Sequence, residues 1–157
     1  MHTNVATVSS PFDGEEVAAV PALNPDVAVV HAQQADRKGN VGLWGITGVQ
    51  REVVLASRKV VVTVEEVVDR IEFGGPNGVV LPSWTIDAIA EVPRGSHPSY
   101  SMGYTQRDNA FYTKWDAISR DRDVFASWIE RYVTGADDFS EYLAAVDDGS
   151  VTSVVDR

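Results

Sequence analysis

Asp26-Val27-Ala28-Val29-Val30-His31-Ala32-Gln33-Gln34-Ala35-Asp36-Arg37-Lys38-Gly39-Asn40 decides the fold. Val27 to Val30 is an unbroken apolar run, β-branched except at Ala28. It predicts a strand, Val27 to Gln33, buried on both faces of a sheet. The run then breaks into His, Gln, Asp, Arg, Lys, Gly and Asn. A buried strand ending in a polar, glycine-containing loop is where open α/β sheets place their binding crevices. His31, Gln33, Asp36 and Asn40 are therefore candidate ligand contacts. The residues alone leave a second reading open, a turn in which Asp36 accepts backbone N–H groups and Gly39 takes a positive φ.

Working outward, Pro11-Phe12-Asp13-Gly14-Glu15-Glu16 is a turn signal, and Val17 to Val20 reads as a short strand closed by Pro21. Gly39 to Gly48 reads as a loop with a short strand at Val41 to Trp44. Apolar positions 49, 53 and 56 predict a helix over Val49 to Ser57. Lys59 to Val64 reads as a second β-branched strand. Thr63 with Glu66 three residues on resembles a capping box, which predicts a helix over Val64 to Ile71. On that reading Glu65 and Glu66 stand at a helix start, as caps or as a candidate general base. Gly74-Gly75-Pro76-Asn77-Gly78 ends the helix, and Gly78 to Leu81 is a third strand.

Strand and helix alternation of this length predicts an α/β fold, an open and mostly parallel sheet with flanking helices. Val92 to Tyr104 is a loop rich in Pro, Gly, Ser and His, and its His97 and Tyr104 are further candidate site residues. The chain then ends in helices. Phe111, Trp115, Ile118, Arg122, Phe125, Trp128, Ile129 and Tyr132, of which only Arg122 is polar, recur at spacings of three and four, which predicts a packing helix over about 108 to 133, broken near Ser119. Asp137 to Val146 reads as a last helix capped by Asp137 or Asp138. The whole of residues 1–157 reads as a single domain.

Composition narrows the function. Thirteen Lys and Arg face twenty-three Asp and Glu, a net charge of -10. There is no basic stripe for nucleic acid. There is no cysteine, hence no disulfide or thiolate chemistry. No run approaches the roughly 18 apolar residues of a membrane span, and no secretory leader is visible, so a cytoplasmic location is expected. No His, Cys and carboxylate set has metal-ligand spacing. No Gly-x-Ser-x-Gly elbow, Walker loop or Gly-x-Gly-x-x-Gly motif is present. The sequence offers no evident nucleophile.

Several motifs in order resemble a known family. Ser10-Pro11-Phe12-Asp13-Gly14-Glu15, Pro21 to Asp26, the Asp26 to Asn40 passage, Trp44 to Gln50, Val60 to Val68, Gly78 to Pro82, His97-Pro98-Ser99-Tyr100, Gly103-Tyr104 and Arg107-Asp108-Asn109 look like the A-type half of class I coenzyme A transferases. The glutaconate CoA-transferase branch is the nearest in pattern. The resemblance covers about residues 9 to 146 and corresponds to the later half of such an A-type polypeptide. Its earlier half, with a Gly-Gly-Phe type loop, has no counterpart in these residues.

The resemblance implies a heteromer of A-type and B-type subunits that works on acyl-CoA thioesters, with coenzyme A as part of the substrate and no bound cofactor. It implies that the thioester is attacked by a glutamate of the B-type subunit, which forms a glutamyl-CoA intermediate and splits one hard acyl transfer into two easier steps. That motif is not found here. No residue of this chain is expected to be catalytic, and the chain is expected to be inactive alone. His31, Gln33, Asp36, Asn40, His97 and Tyr104 are then substrate-binding candidates. The same branch holds relatives that hydrolyse or open rings of CoA-linked steroid intermediates, so hydrolysis stands beside transfer. A non-catalytic structural remnant is the reading from another class.

Overall fold

In a computed structural model, residues 4–155 are described. Two compact units divide the chain, one ending at Gly95 and the other beginning at Ser96.

The first unit is built on a five-stranded sheet. Its strands are β3 (Val27–Asp36), β4 (Val41–Leu43), β5 (Lys59–Val68), β6 (Val79–Leu81) and β7 (Ala88–Glu91), in the order β6-β4-β3-β5-β7. The β3–β5 and β5–β7 pairings are parallel, whereas β4 is antiparallel to both β3 and β6. Four of the five strands thus run one way and only β4 is reversed. The sheet is mixed in its pairings and mostly parallel in strand direction, with α1 (Gln50–Ala56) leading into β5. A separate antiparallel hairpin precedes it, formed by β1 (Ala6–Ser9) and β2 (Glu16–Ala19). The expected turn between them is present, with Gly14 at φ +76°.

Two expectations are corrected. First, no helix follows Val64. Strand β5 continues to Val68, and its pairing with β3 runs on to Asp36 opposite Val68. The Thr63–Glu66 spacing imitates a cap, but Val60, Val62, Val64, Val67 and Val68 favour a pleated surface, and parallel pairing along β3 decides the matter. Val60, Val62 and Val64 are buried on the pleat. Glu65 and Glu66 therefore stand in mid-strand, not at a helix start.

Second, the start of β3 is buried on one face only. Ala28 and Val30 pack with Val60, Val62 and Val54 of α1, while Val27 and Val29 on the other face are 54% and 73% exposed. Both faces of this segment are apolar, so sequence alternation carries no sign of which one is covered. Strand β7 has no sequence signal: Ala88-Ile89-Ala90-Glu91 holds a single β-branched residue. It is placed by its parallel pairing to β5 and by Asp87, whose carboxylate accepts from the Val60 N–H (2.8 Å) and the Lys59 ammonium (2.6 Å).

The second unit is helical. The predicted long helix is two, α2 (Asn109–Arg120) and α3 (Arg122–Ile129), the latter running into a π-helical turn at Glu130–Thr134. The break falls at Asp121, which is extended (φ -93°, ψ 120°) and caps α3 by accepting from the Asp123 and Val124 N–H groups. Helix α4 (Phe139–Asp147) is capped in the same manner by Asp138. Phe111, Ile118, Trp128, Tyr132 and Val151 form this unit's own core. Among the described residues, no helix is long and apolar enough to cross a membrane.

Candidate functional site

Parallel register brings three polar side chains together on β3 and β5. His31 lies opposite Thr63, and Glu65 is two residues further along β5 on the same face. The His31 Nδ1 is 2.9 Å from Thr63 Oγ1, and its Nε2 is 3.2 Å from Glu65 Oε1. A carboxylate can only accept, so Nε2 carries the proton toward Glu65, and in the neutral ring Nδ1 accepts the Thr63 hydroxyl. The Glu65 side chain is 2% exposed and that of His31 16%.

The turn after β7 closes over this pair. Glu65 Oε2 accepts the Arg94 N–H at 2.6 Å, and Arg94 adopts a left-handed backbone (φ +63°). That conformation is costly for a residue with a Cβ, and the Glu65 bond helps to hold it. Gly95 follows directly above the imidazole: a Cβ there would lie 2.9 Å from His31 Cε1 and 2.9 Å from the Val92 carbonyl. His31 is thus pressed between the sheet and a fixed turn at the carboxyl end of β7, where open sheets place their ligands.

The other strand-end candidates are occupied in building loops. Gln33 makes a two-way bond to the Trp44 backbone, donating to its carbonyl (3.1 Å) and accepting from its N–H (3.2 Å). Asp36 Oδ1 accepts the Lys38 and Asn40 N–H groups, and its Oδ2 accepts the Asn40 amide at 2.8 Å. The Asn40 side-chain amide, followed by these backbone donors, holds the Asp36 carboxyl below its usual value. Asn40 Oδ1 accepts the Ser83 N–H at 3.0 Å, which ties the β3–β4 loop to the end of β6. Gly39 takes φ +84°, so the turn alternative is the one realised for these residues. Asn40→Ala removes a side-chain bond at each end and is expected to cost about 2 kcal/mol, at roughly 1 kcal/mol for each bond. Urea unfolding checks it.

In the second unit His97 occupies a different network. Its Nδ1 is 2.8 Å from the Tyr142 hydroxyl and its Nε2 is 3.2 Å from Asp108 Oδ2, with the His97 side chain 4% exposed. Asp108 caps α2 by accepting the Phe111 N–H at 2.8 Å. That bond, and after it His97, draws the Asp108 carboxyl below its ordinary value of 3.8, whereas burial and then the Asp108 charge push the Tyr142 phenol up to about 12. The phenol stays protonated and donates to His97. Tyr104 lies apart in the Ser101–Thr105 turn and is 38% exposed.

A carboxylate whose folded pKa is depressed stabilises the fold above its unfolded pKa and loses that contribution as pH falls through the folded value. Asp108→Asn is therefore expected to be less stable than the parent at pH 6. The gap should close progressively below the ordinary value of 3.8. Urea midpoints measured at several pH values test this.

Local sequence patterns miss Glu65 as a partner of His31, because the capping-box spacing places Glu65 in a helix. The alternation Thr63, Glu65 puts both on one face, but their meeting with His31 requires the β3–β5 register. Asp108 and Tyr142 are missed as well. They are far apart along the chain, and no local spacing joins them to His97.

Fold and site together define an α/β protein whose polar cluster lies midway along a parallel strand pair, under the turn that follows β7. The chain belongs to the coenzyme A transferase family, which it matches over residues 7–92. It is 53% identical over 150 residues to the A subunit of the 3-oxoadipate CoA-transferase of Pseudomonas knackmussii, covering 95% of this chain and 52% of that protein. The glutaconate CoA-transferase of Acidaminococcus fermentans has the same fold, with a TM-score of 0.80 at 29% identity over 92% of this chain and 46% of that one. A cholesterol ring-cleaving hydrolase IpdA subunit of Rhodococcus jostii is 28% identical over 149 residues, 89% of this chain and 50% of that protein. The chain spans about half the length of the curated relatives it matches. The expected α/β fold and the resemblance to the A side of these transferases are borne out.

Proposed function

We propose that this chain forms part of the A side of a heteromeric CoA-transferase, acting on an acyl-CoA thioester beside a B-type subunit that supplies the nucleophilic glutamate. The observation that carries the reading is the 53% identity to the 3-oxoadipate CoA-transferase of Pseudomonas knackmussii on its A side, sustained over 95% of the chain. The site supports the same division of labour. Glu65, the carboxylate nearest a histidine in the first unit, is buried and already accepts from Arg94 and His31. It is a positioning group, and the attack on the thioester falls to the partner's carboxylate. His31, covered by Gly95 and oriented by Glu65, is the mid-strand residue assigned to the substrate side. Gln33, Asp36 and Asn40 shape the loops around it.

The test is CoA exchange between an acyl-CoA and a free acid, with 3-oxoadipate as the first acceptor. It uses this chain alone, with a B-type partner, and with a B-type partner plus the portion of the Pseudomonas relative that lies outside the matched region. Transfer that requires the partner supports the reading, and transfer by this chain alone overturns it. Release of free CoA without any acceptor would instead favour the hydrolase reading, which the similarity to the Rhodococcus protein supports.

A further inference from the structure

The second unit holds a cavity of about 620 Å3. Its walls are mostly aromatic: Phe111, Tyr112, Trp115, Trp128, Phe139 and Tyr142, with the His97 ring among them. Apolar, aromatic-lined clefts of roughly 300–1,000 Å3 are the size of small-molecule sites.

The polar atoms of the walls are largely engaged. Both His97 nitrogens have partners, Trp128 Nε1 donates to the Val151 carbonyl, and the Tyr132 hydroxyl donates to the Ser150 carbonyl. The charges bordering the cavity are acidic. Asp138 lines it, Asp108 stands behind His97, and no lysine or arginine is among the lining residues. The Arg107 and Arg131 guanidinium groups instead lie over the Tyr112 and Tyr132 rings, at 4.4 and 5.0 Å from the centroids. An anionic ligand would meet two carboxylates, while the two nearby guanidinium groups are each stacked on the ring of a wall tyrosine. A flat, uncharged ring meets aromatic faces and edges on several sides.

From this geometry we infer that the cavity is a binding site for a small, uncharged, planar ring compound, built from residues other than those of the His31 cluster. It stands whether or not the transferase reading does. The experiment uses the full chain, with 2-naphthol as a neutral probe and 2-naphthoate as the same ring system carrying a carboxylate. Binding is read by saturation-transfer NMR and calorimetry at pH 7. The expected result is one 2-naphthol site per chain, with 2-naphthoate weaker by about ten-fold or more, equivalent to about 1.4 kcal/mol. Ala136 and Val133 line the cavity outside its aromatic walls, so Ala136→Phe or Val133→Trp fills it from the rim. Either folded variant should lose at least about ten-fold in 2-naphthol affinity. Failure of 2-naphthol to bind at millimolar concentration, equal binding of the two probes, or undiminished binding in the folded filled variants overturns the proposal.

Discussion

Glu65→Ala lowers the stability of this protein by about 3 kcal/mol, since two hydrogen bonds of a buried ionised acceptor are lost, each worth roughly 1.5–3 kcal/mol, less what relaxation recovers. The carboxylate is 2% exposed, and its two oxygens separately hold His31 Nε2 (3.2 Å) and the Arg94 N–H (2.6 Å). Alanine leaves a partly buried ring N–H and a partly buried backbone N–H without that acceptor. It also removes the bond that holds Arg94 at φ +63°. At about 2–4 °C per kcal/mol for a chain of this length, the melting temperature falls by roughly 6–12 °C. Glu65→Gln separates shape from charge. Its carbonyl oxygen can still accept from Arg94, and its NH2 group can face His31 once the ring proton moves to Nδ1 and donates to Thr63 Oγ1. That variant is expected to lose only about 1 kcal/mol. Urea unfolding of both variants and of His31→Ala gives the comparison. A loss below about 0.5 kcal/mol for Glu65→Ala, the range of ordinary surface substitutions, would mean that the clamp on the 92–95 turn does not exist.

The same cluster shows how far sequence reasoning reaches. The β3 strand, the break after it, the Asp36–Asn40 turn, α1 and the caps of the later helices all follow from local rules. Each depends on residues within a few positions of one another, so pattern and propensity suffice. Glu65 and β7 depend on something else. Val-Thr-Val-Glu-Glu-Val-Val satisfies a capping-box spacing and a strand alternation at once, and only the ten-residue strand β3 alongside it selects the strand. The Asp36 turn is legible locally, but the tie from Asn40 to Ser83 is not, because Ser83 lies 43 positions away. The six residues picked from the sequence divide accordingly. His31 and His97 enter buried networks, Gln33, Asp36 and Asn40 hold loops, and Tyr104 lies at a surface turn.

The aromatic layer of the second unit carries the largest single-residue effect. Trp128→Ala is expected to cost about 4 kcal/mol, the middle of the range for removing a large buried aromatic side chain. Trp128 is 6% exposed, and its ring centroid lies 5.0 Å from Trp115, 5.7 Å from Tyr132 and 6.3 Å from Phe111, mostly edge to face. Its indole N–H also donates to the Val151 carbonyl at 2.7 Å, tying α3 to the segment after α4. Trp128→Phe keeps a ring in the layer but leaves that carbonyl without its donor, and should cost about 1–2 kcal/mol from the lost bond. The ordering Trp128→Ala, then Trp128→Phe, then parent should hold in urea midpoints and in melting temperature. Near-UV circular dichroism should lose intensity in both variants, because Trp128 couples to three other rings. A Trp128→Ala protein within about 1 kcal/mol of the parent would show that α2 and α3 do not rely on this layer, since truncating a packed aromatic cannot be so cheap. Because Trp128 is also a wall of the cavity, the alanine variant should enlarge the cavity. The Phe variant should leave it close to its original shape, so the two variants separate the layer's contribution to stability from its contribution to ring binding.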